Sequence, residues 1–397
     1  MKINKISKFH NKFKSVYKFK IIDQIVSASN SYALLLVPLI NQDFKLLGQI
    51  STILSLYVFW VGLIRITLVN EMLRSNYTNH KYLGNLRSAL IISSFSVPLF
   101  FLGFIFHLTA TSMILAVLFI IIGVQEELLR QHFLAIKAYF YAFTIDSTWF
   151  VITLLGCSWC YIRNLTSLNY LLTINLIGCA CAVILGNILI FRPRRQLMPG
   201  TVYSKIDARS MWLPIFATLH TLFLNVSLIS NNQDVNLGIL RAGQLFFLPA
   251  IFIINIQQNY FLSRVKLGTR SESFLVFRSN YFRIFMFFGL LSFTLSQFYF
   301  YKLHIGIDGL IVPLILLFST VIAFYSNLEI ITLVGTKFLR NLIFLRFAWL
   351  LSASISMLIF KSNFVAMLFV LLIMDFLFVL SVQQVSNRRK QTLQHNL

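Results

Sequence analysis

Arg241 lies where a cation is hardest to accommodate, inside an apolar run that extends over 237–261. Gln244, Asn255 and Gln258 follow it at spacings that bring all four within about 100° of one another on a helix. At 1.5 Å per residue the stripe runs roughly 25 Å, nearly the depth of a bilayer core. Guanidinium and amide groups in such a place donate hydrogen bonds to anionic or hydroxylated molecules; they are not nucleophiles. The stripe reads either as one wall of an aqueous passage or as hydrogen-bonding glue between helices.

A second group gathers at Gln125, Glu126, Glu127, Arg130 and Gln131, in the latter half of the run 112–134. Arg130 falls four residues after Glu126 and three after Glu127, the spacings of ion pairs within one helix. Asp146 enters the next run at a similar depth. Together these groups read as a network that gates an inner mouth, binds a proton or cation, or simply staples two helices. A shorter stripe of Asp23, Ser27 and Asn30 occupies one face of the first run. Arg65 and Arg346, at the ends of runs, read as topology anchors, and Asp375 has no local partner in the sequence.

Covalent and metal chemistry find little support. Cys157 and Cys160 make a C-x-x-C, with Cys179 and Cys181 on the following run. No histidine or carboxylate clusters with them, so they read as small packing residues with no metal ion. A Walker-type phosphate loop is absent from the sequence, and there is no soluble domain or long extracytoplasmic gap to house an active site. The expectation is therefore a protein that is not an enzyme and uses no cofactor.

The elements that must carry these residues are membrane helices. Of 397 residues 58% are hydrophobic and only 12% charged, against about a quarter charged in a soluble domain. Twelve apolar runs can be laid out, roughly at 21–40, 46–68, 88–107, 112–134, 141–161, 168–191, 211–230, 237–261, 281–300, 309–332, 341–360 and 363–384. Each is close to the ~20 residues a spanning helix needs and too long and continuous for a barrel strand. The cut between 309 and 346 is the least sharply marked. Prolines 38, 98, 214, 249 and 313 lie inside runs and favour kinks.

Lysine and arginine fill alternate gaps. The first twenty residues hold seven lysines, and further basic residues fall near 74–87, at Lys137, and near 192–209, 264–283, 337–340 and 388–390. The intervening gaps offer only Lys45, Arg163, Lys302 and Lys361. By the positive-inside rule both termini are cytoplasmic, in keeping with an even number of spans. The formal charge of +22 is dispersed over membrane-flanking loops, which fits contact with anionic membrane lipids and argues against nucleic acid. The first run has no small-residue cleavage site after it and reads as a retained span.

Two halves echo each other. Asn41-Gln42-Asp43 with Leu47-Gly48 returns as Asn232-Gln233-Asp234 with Leu237-Gly238, and Asp146-x-x-Trp149 as Arg346-x-x-Trp349. The chain divides accordingly into a basic N-terminus plus six helices, 1–197, and six helices plus a basic tail, 198–397, joined by a linker bearing Pro193 and Pro199.

These segments resemble a known group. Asp23-Gln24-Ile-Val-Ser27-Ala-Ser29-Asn30 is similar to the opening of bacterial polysaccharide-type flippases in the multidrug/oligosaccharidyl-lipid/polysaccharide (MOP) exporter superfamily. Leu47-Gly48 matches their entry to the second span. Gln125-Glu-Glu-Leu-Leu-Arg130 through Asp146-x-x-Trp149 matches their fourth and fifth, and Leu237-Gly238-x-x-Arg241-Ala242-x-Gln244 looks like the second-half equivalent. The resemblance implies an all-α, MATE-like fold of two six-helix lobes around a central cavity, working by alternating access in a bacterial inner membrane. It implies a lipid-diphosphate-linked oligosaccharide, such as an O-antigen repeat unit, as substrate, and polysaccharide assembly proteins as partners. On that reading Arg241 meets the diphosphate, with Arg130 second, while Gln244, Asn255 and Gln258 line the sugar path. The alternatives are a cation-coupled exporter of small molecules, using Asp23, Glu127 or Asp146, and a membrane-embedded glycan polymerase. The few glycines, 16, and many phenylalanines, 41, depart from the better-known members.

Overall fold

The structure is a computed structural model and describes residues 32–64, 87–91, 108–136, 138–190, 212–231, 233–251, 253–254, 272–333, 338–360 and 363–394, with Ile22, Val26, Ser29 and Asn30 before them. Every regular element among these residues is helical. Ten helices are complete: α1 Phe44–Ile64, α2 Ala110–Ala135, α3 Tyr139–Ile162, α4 Leu168–Ile190, α5 Trp212–Ser230, α6 Asp234–Phe246, α7 Glu272–Lys302, α8 Ile307–Leu333, α9 Leu339–Ile359 and α10 Phe364–Gln394. Eight of the described helices contain stretches long and apolar enough to cross a membrane.

The sequence dictates these helices through uninterrupted apolar composition, since backbone groups in hydrocarbon must be satisfied within the segment. The surface confirms the solvent. Ile114, Leu155, Trp159, Ile184, Phe298 and Leu358 are exposed, a poor arrangement in water and an appropriate one against lipid tails. Serine and threonine inside the spans return their hydroxyls to the preceding turn, as Ser51 does to the Leu47 carbonyl (2.8 Å) and Thr148 to that of Thr144 (2.8 Å).

The chain forms two compact units, Met1–Lys205 and Ile206–Leu397. In the first, α4 packs against both α2 and α3, and α2 also meets α1 and α3. Glycine permits the close approach at one point in particular: a Cβ on Gly178 of α4 would lie 2.8 Å from Thr153 Oγ1 and 3.1 Å from the Trp149 carbonyl oxygen on α3. In the second unit α9 packs against α5 and α10, α8 against α7 and α10, and α6 against α5, α7 and α8. Tight turns close several helix pairs, and each places a non-glycine residue in the left-handed region: Gln42 (φ 61°), Asn164 (φ 56°) and His304 (φ 51°).

One expectation changes here. The run 237–261 is not a single straight helix: α6 ends at Phe246, Phe247 is a turn, and helix resumes at 248. Pro249 is the cause, since it has no N–H for the carbonyl four residues back. The Phe247 N–H instead bonds to the Gln244 carbonyl at 3.1 Å, and a new turn starts with Ile251 N–H to the Phe247 carbonyl at 3.0 Å. A stripe computed for a continuous helix therefore holds only up to this break. The boundary in the 309–346 region falls after Leu333, where α8 ends, and α9 begins at Leu339.

Candidate functional site

In the first unit the charged residues of α2 and α3 meet. Arg130 Nε lies 2.8 Å from Asp146 Oδ2, and its Nη1 lies 3.4 Å from Glu127 Oε2. Gln131 Nε2 donates to Glu127 Oε1 at 2.6 Å. Glu126 lies beside Asp146. All four charged groups are buried: Glu126 1%, Glu127 2%, Arg130 5% and Asp146 0% exposed. The sequence spacing favoured pairs inside one helix. The structure keeps the one between Glu127 and Arg130, but Arg130 reaches across to α3 where Glu126 was the other expected partner.

One turn further along α3, the Trp149 indole N–H donates to Asn175 Oδ1 on α4 at 2.8 Å. Its ring packs against Phe119 and Tyr57, with both centroids 6.1 Å away. Asn30, on the first span, is fully buried, and neither end of its amide has a hydrogen-bond partner among the described residues. Asp23, the first member of that stripe, lies outside the described residues, as do Asn255 and Gln258.

In the second unit Arg241 sits on α6, partly buried. Its Nη2 donates to Asn225 Oδ1 on α5 at 2.8 Å and its Nη1 to Gln244 Oε1 at 2.5 Å. Both of these acceptors are amides, and they fix the direction of the guanidinium fork. Asn225 is fully buried and was not singled out from the sequence. The levels agree: Arg241 is seven residues into α6 and Asn225 five before the end of α5, each about one to two turns from the short connection at 231–233.

A further cluster, missed by the sequence, centres on Trp349 of α9. Its indole N–H donates to Asp375 Oδ1 on α10 at 3.0 Å. The Arg346 guanidinium lies 4.2 Å from the Trp349 ring centroid and 4.7 Å from that of Phe378, within cation–π range. The His220 ring of α5 is 4.3 Å from Trp349, centroid to centroid. Arg346 is thus embedded among aromatic rings, not simply anchored at a helix end, and Asp375 has a partner in the Trp349 N–H. The signal was available: Trp149 and Asn175 are 26 residues apart, Trp349 and Asp375 likewise, and adding 200 to one pair gives the other.

The fold recurs in solved structures. The chain is similar to a multidrug-resistance MATE family transporter of the MOP superfamily in an inward-facing conformation, with a TM-score of 0.61 over 95% of each chain and 11% identity. The fold is that of the MATE transporters. A MATE structure described as straight matches at TM-score 0.52 over 96% of this chain and 97% of that one, at 12% identity. An outward-facing member matches at 0.50 over 97% and 94%, again at 12%. No family model and no curated protein matches the sequence. The all-α, multi-pass membrane fold of two lobes expected from the sequence is the MATE-like fold.

Proposed function

We propose that this protein is a MOP-type flippase that carries a lipid-diphosphate-linked oligosaccharide across a bacterial inner membrane by alternating access. In this reading both termini are cytoplasmic. The observation that carries it is Arg241: a half-buried guanidinium on the short helix α6, aimed by Asn225 and Gln244. Diphosphate oxygens are matched by such a fork in a low-dielectric setting, and amides beside it suit sugar hydroxyls. Gln244, beside Arg241, is assigned this role, and Asn255 and Gln258, further along the same run, are assigned it too. Arg130, already engaged by Asp146 and Glu127, is assigned to gating.

A second reading, cation-coupled export of small molecules, draws on the first unit. Glu126, Glu127 and Asp146 gather three buried carboxyl groups around one guanidinium, an arrangement suited to a proton or cation. The two readings separate in one experiment. A deletion strain should accumulate lipid-linked oligosaccharide on the inner leaflet and lose surface glycan, and Arg241→Ala should fail to restore it although the variant inserts normally. Unchanged surface glycan together with heightened drug susceptibility would replace the first reading by the second.

A further inference from the structure

The two units use the same tryptophan differently. In the first, Trp149 donates to a neutral amide, Asn175 (2.8 Å), and the nearby charge, Asp146, is paired with Arg130 at 2.8 Å. In the second, Trp349 donates to a carboxylate, Asp375 (3.0 Å), and the residue at the position of Asp146 is Arg346. Arg346 is held by the faces of two rings, a contact that spends none of its five N–H donors. Among the described residues it donates no hydrogen bond and closes no ion pair; Asp375 acts on it only at longer range. Close by on the same tryptophan, His220 keeps its Nε2 buried without a partner. A half-buried guanidinium held by ring faces, its N–H groups not engaged by any described residue, is open to an incoming acceptor.

We propose that Arg346 and His220 form an oxyanion-binding site of the second unit, with Asp375 as a built-in counter-charge that the bound anion displaces electrostatically. The site takes a phosphate group, a chemistry whose assignment rests on the flippase reading. It lies about 7 Å along α5 from the Asn225 that aims Arg241, five residues later. Arg346 is seven residues into α9 from its cytoplasmic end in the proposed topology. The anion of a substrate entering from the inner leaflet thus meets Arg346 before Arg241.

Asp375 supplies the test that separates this role from a structural one. Asp375→Asn preserves the indole hydrogen bond, since the first unit makes the same bond to Asn175, while removing the competing charge. With full-length protein in zwitterionic nanodiscs and inorganic pyrophosphate as probe, calorimetry should show binding that Arg346→Ala weakens about tenfold or more. Asp375→Asn should bind pyrophosphate more tightly than the native chain. A structural arginine would give no such gain, and equal binding by the native chain and Arg346→Ala, or weaker binding by Asp375→Asn, overturns the site. A second arm distinguishes the source of the phosphate. If native mass spectrometry finds phosphatidylglycerol retained by the native chain and lost from Arg346→Ala, while pyrophosphate does not bind, the site stands and its ligand is a membrane lipid. Retention of neither ligand through Arg346 removes the proposal. These measurements use no surface-glycan readout, so failure of the flippase reading in cells is recorded separately.

Discussion

At the residue scale the two units spend their charges in opposite ways. Arg130 is satisfied by two carboxylates inside the protein, one on its own helix and one across the helix pair. Removing one member of such a buried pair leaves a charge with no solvent to receive it, at a cost of about 3–5 kcal/mol. Arg130→Ala should therefore lower the thermal midpoint of the purified protein markedly, while Asp146→Asn, which leaves Arg130 its Glu127, should cost less. The reverse order would mean that Asp146 holds α3 in place through contacts other than its pair with Arg130. Arg346 shows why a half-buried charge is hard to read from sequence. A basic residue seven positions into a helix looks the same whether it marks topology or sits between rings, and only Trp349, Phe378 and His220 around it distinguish the two.

At the element scale, the helices were readable because hydrocarbon imposes a single demand, continuous apolar residues over the bilayer thickness. Nearly all described boundaries fall within a few residues of the runs laid out from composition, and extensions such as α7 and α10 continue into polar sequence where hydropathy alone gives no stop. What hydropathy does not carry is phase across a break. The Arg241–Gln258 stripe assumed one straight helix, and Pro249 in the middle of it ends that assumption at Phe247. Likewise Asn225 escaped notice because its partner lies sixteen residues away on the next helix, beyond any helical periodicity. Close packing supplies a direct check on α3 and α4. Gly178→Ala would press a methyl group on Thr153 and on the Trp149 backbone oxygen, so a loss of about 1–3 kcal/mol in stability is expected. Gly62→Ala, which meets nothing within 4 Å, should unfold at the native temperature; equal behaviour of the two would show that α3 and α4 are not tightly opposed.

At the scale of the whole molecule, alternation of basic gaps predicts which turns face outward, and the turns containing Gln42, Asn164 and His304 fall on that side. A membrane-impermeant maleimide applied to intact cells should label Asn41→Cys and Arg163→Cys, both exposed beside those turns. Leu397→Cys should react only after the cells are opened; labelling in the opposite pattern would invert the molecule. The repeated indole bond has a meaning in genetic terms as well. Two halves that keep a tryptophan and its acceptor at the same 26-residue interval carry the mark of a duplicated coding sequence. Asparagine and aspartate codons differ by a single base, so the charged acceptor of one half and the neutral acceptor of the other are one mutation apart. Random mutagenesis of the gene will reach Asp375→Asn and Asn175→Asp readily, and selection for transport can show which half tolerates its sister's residue.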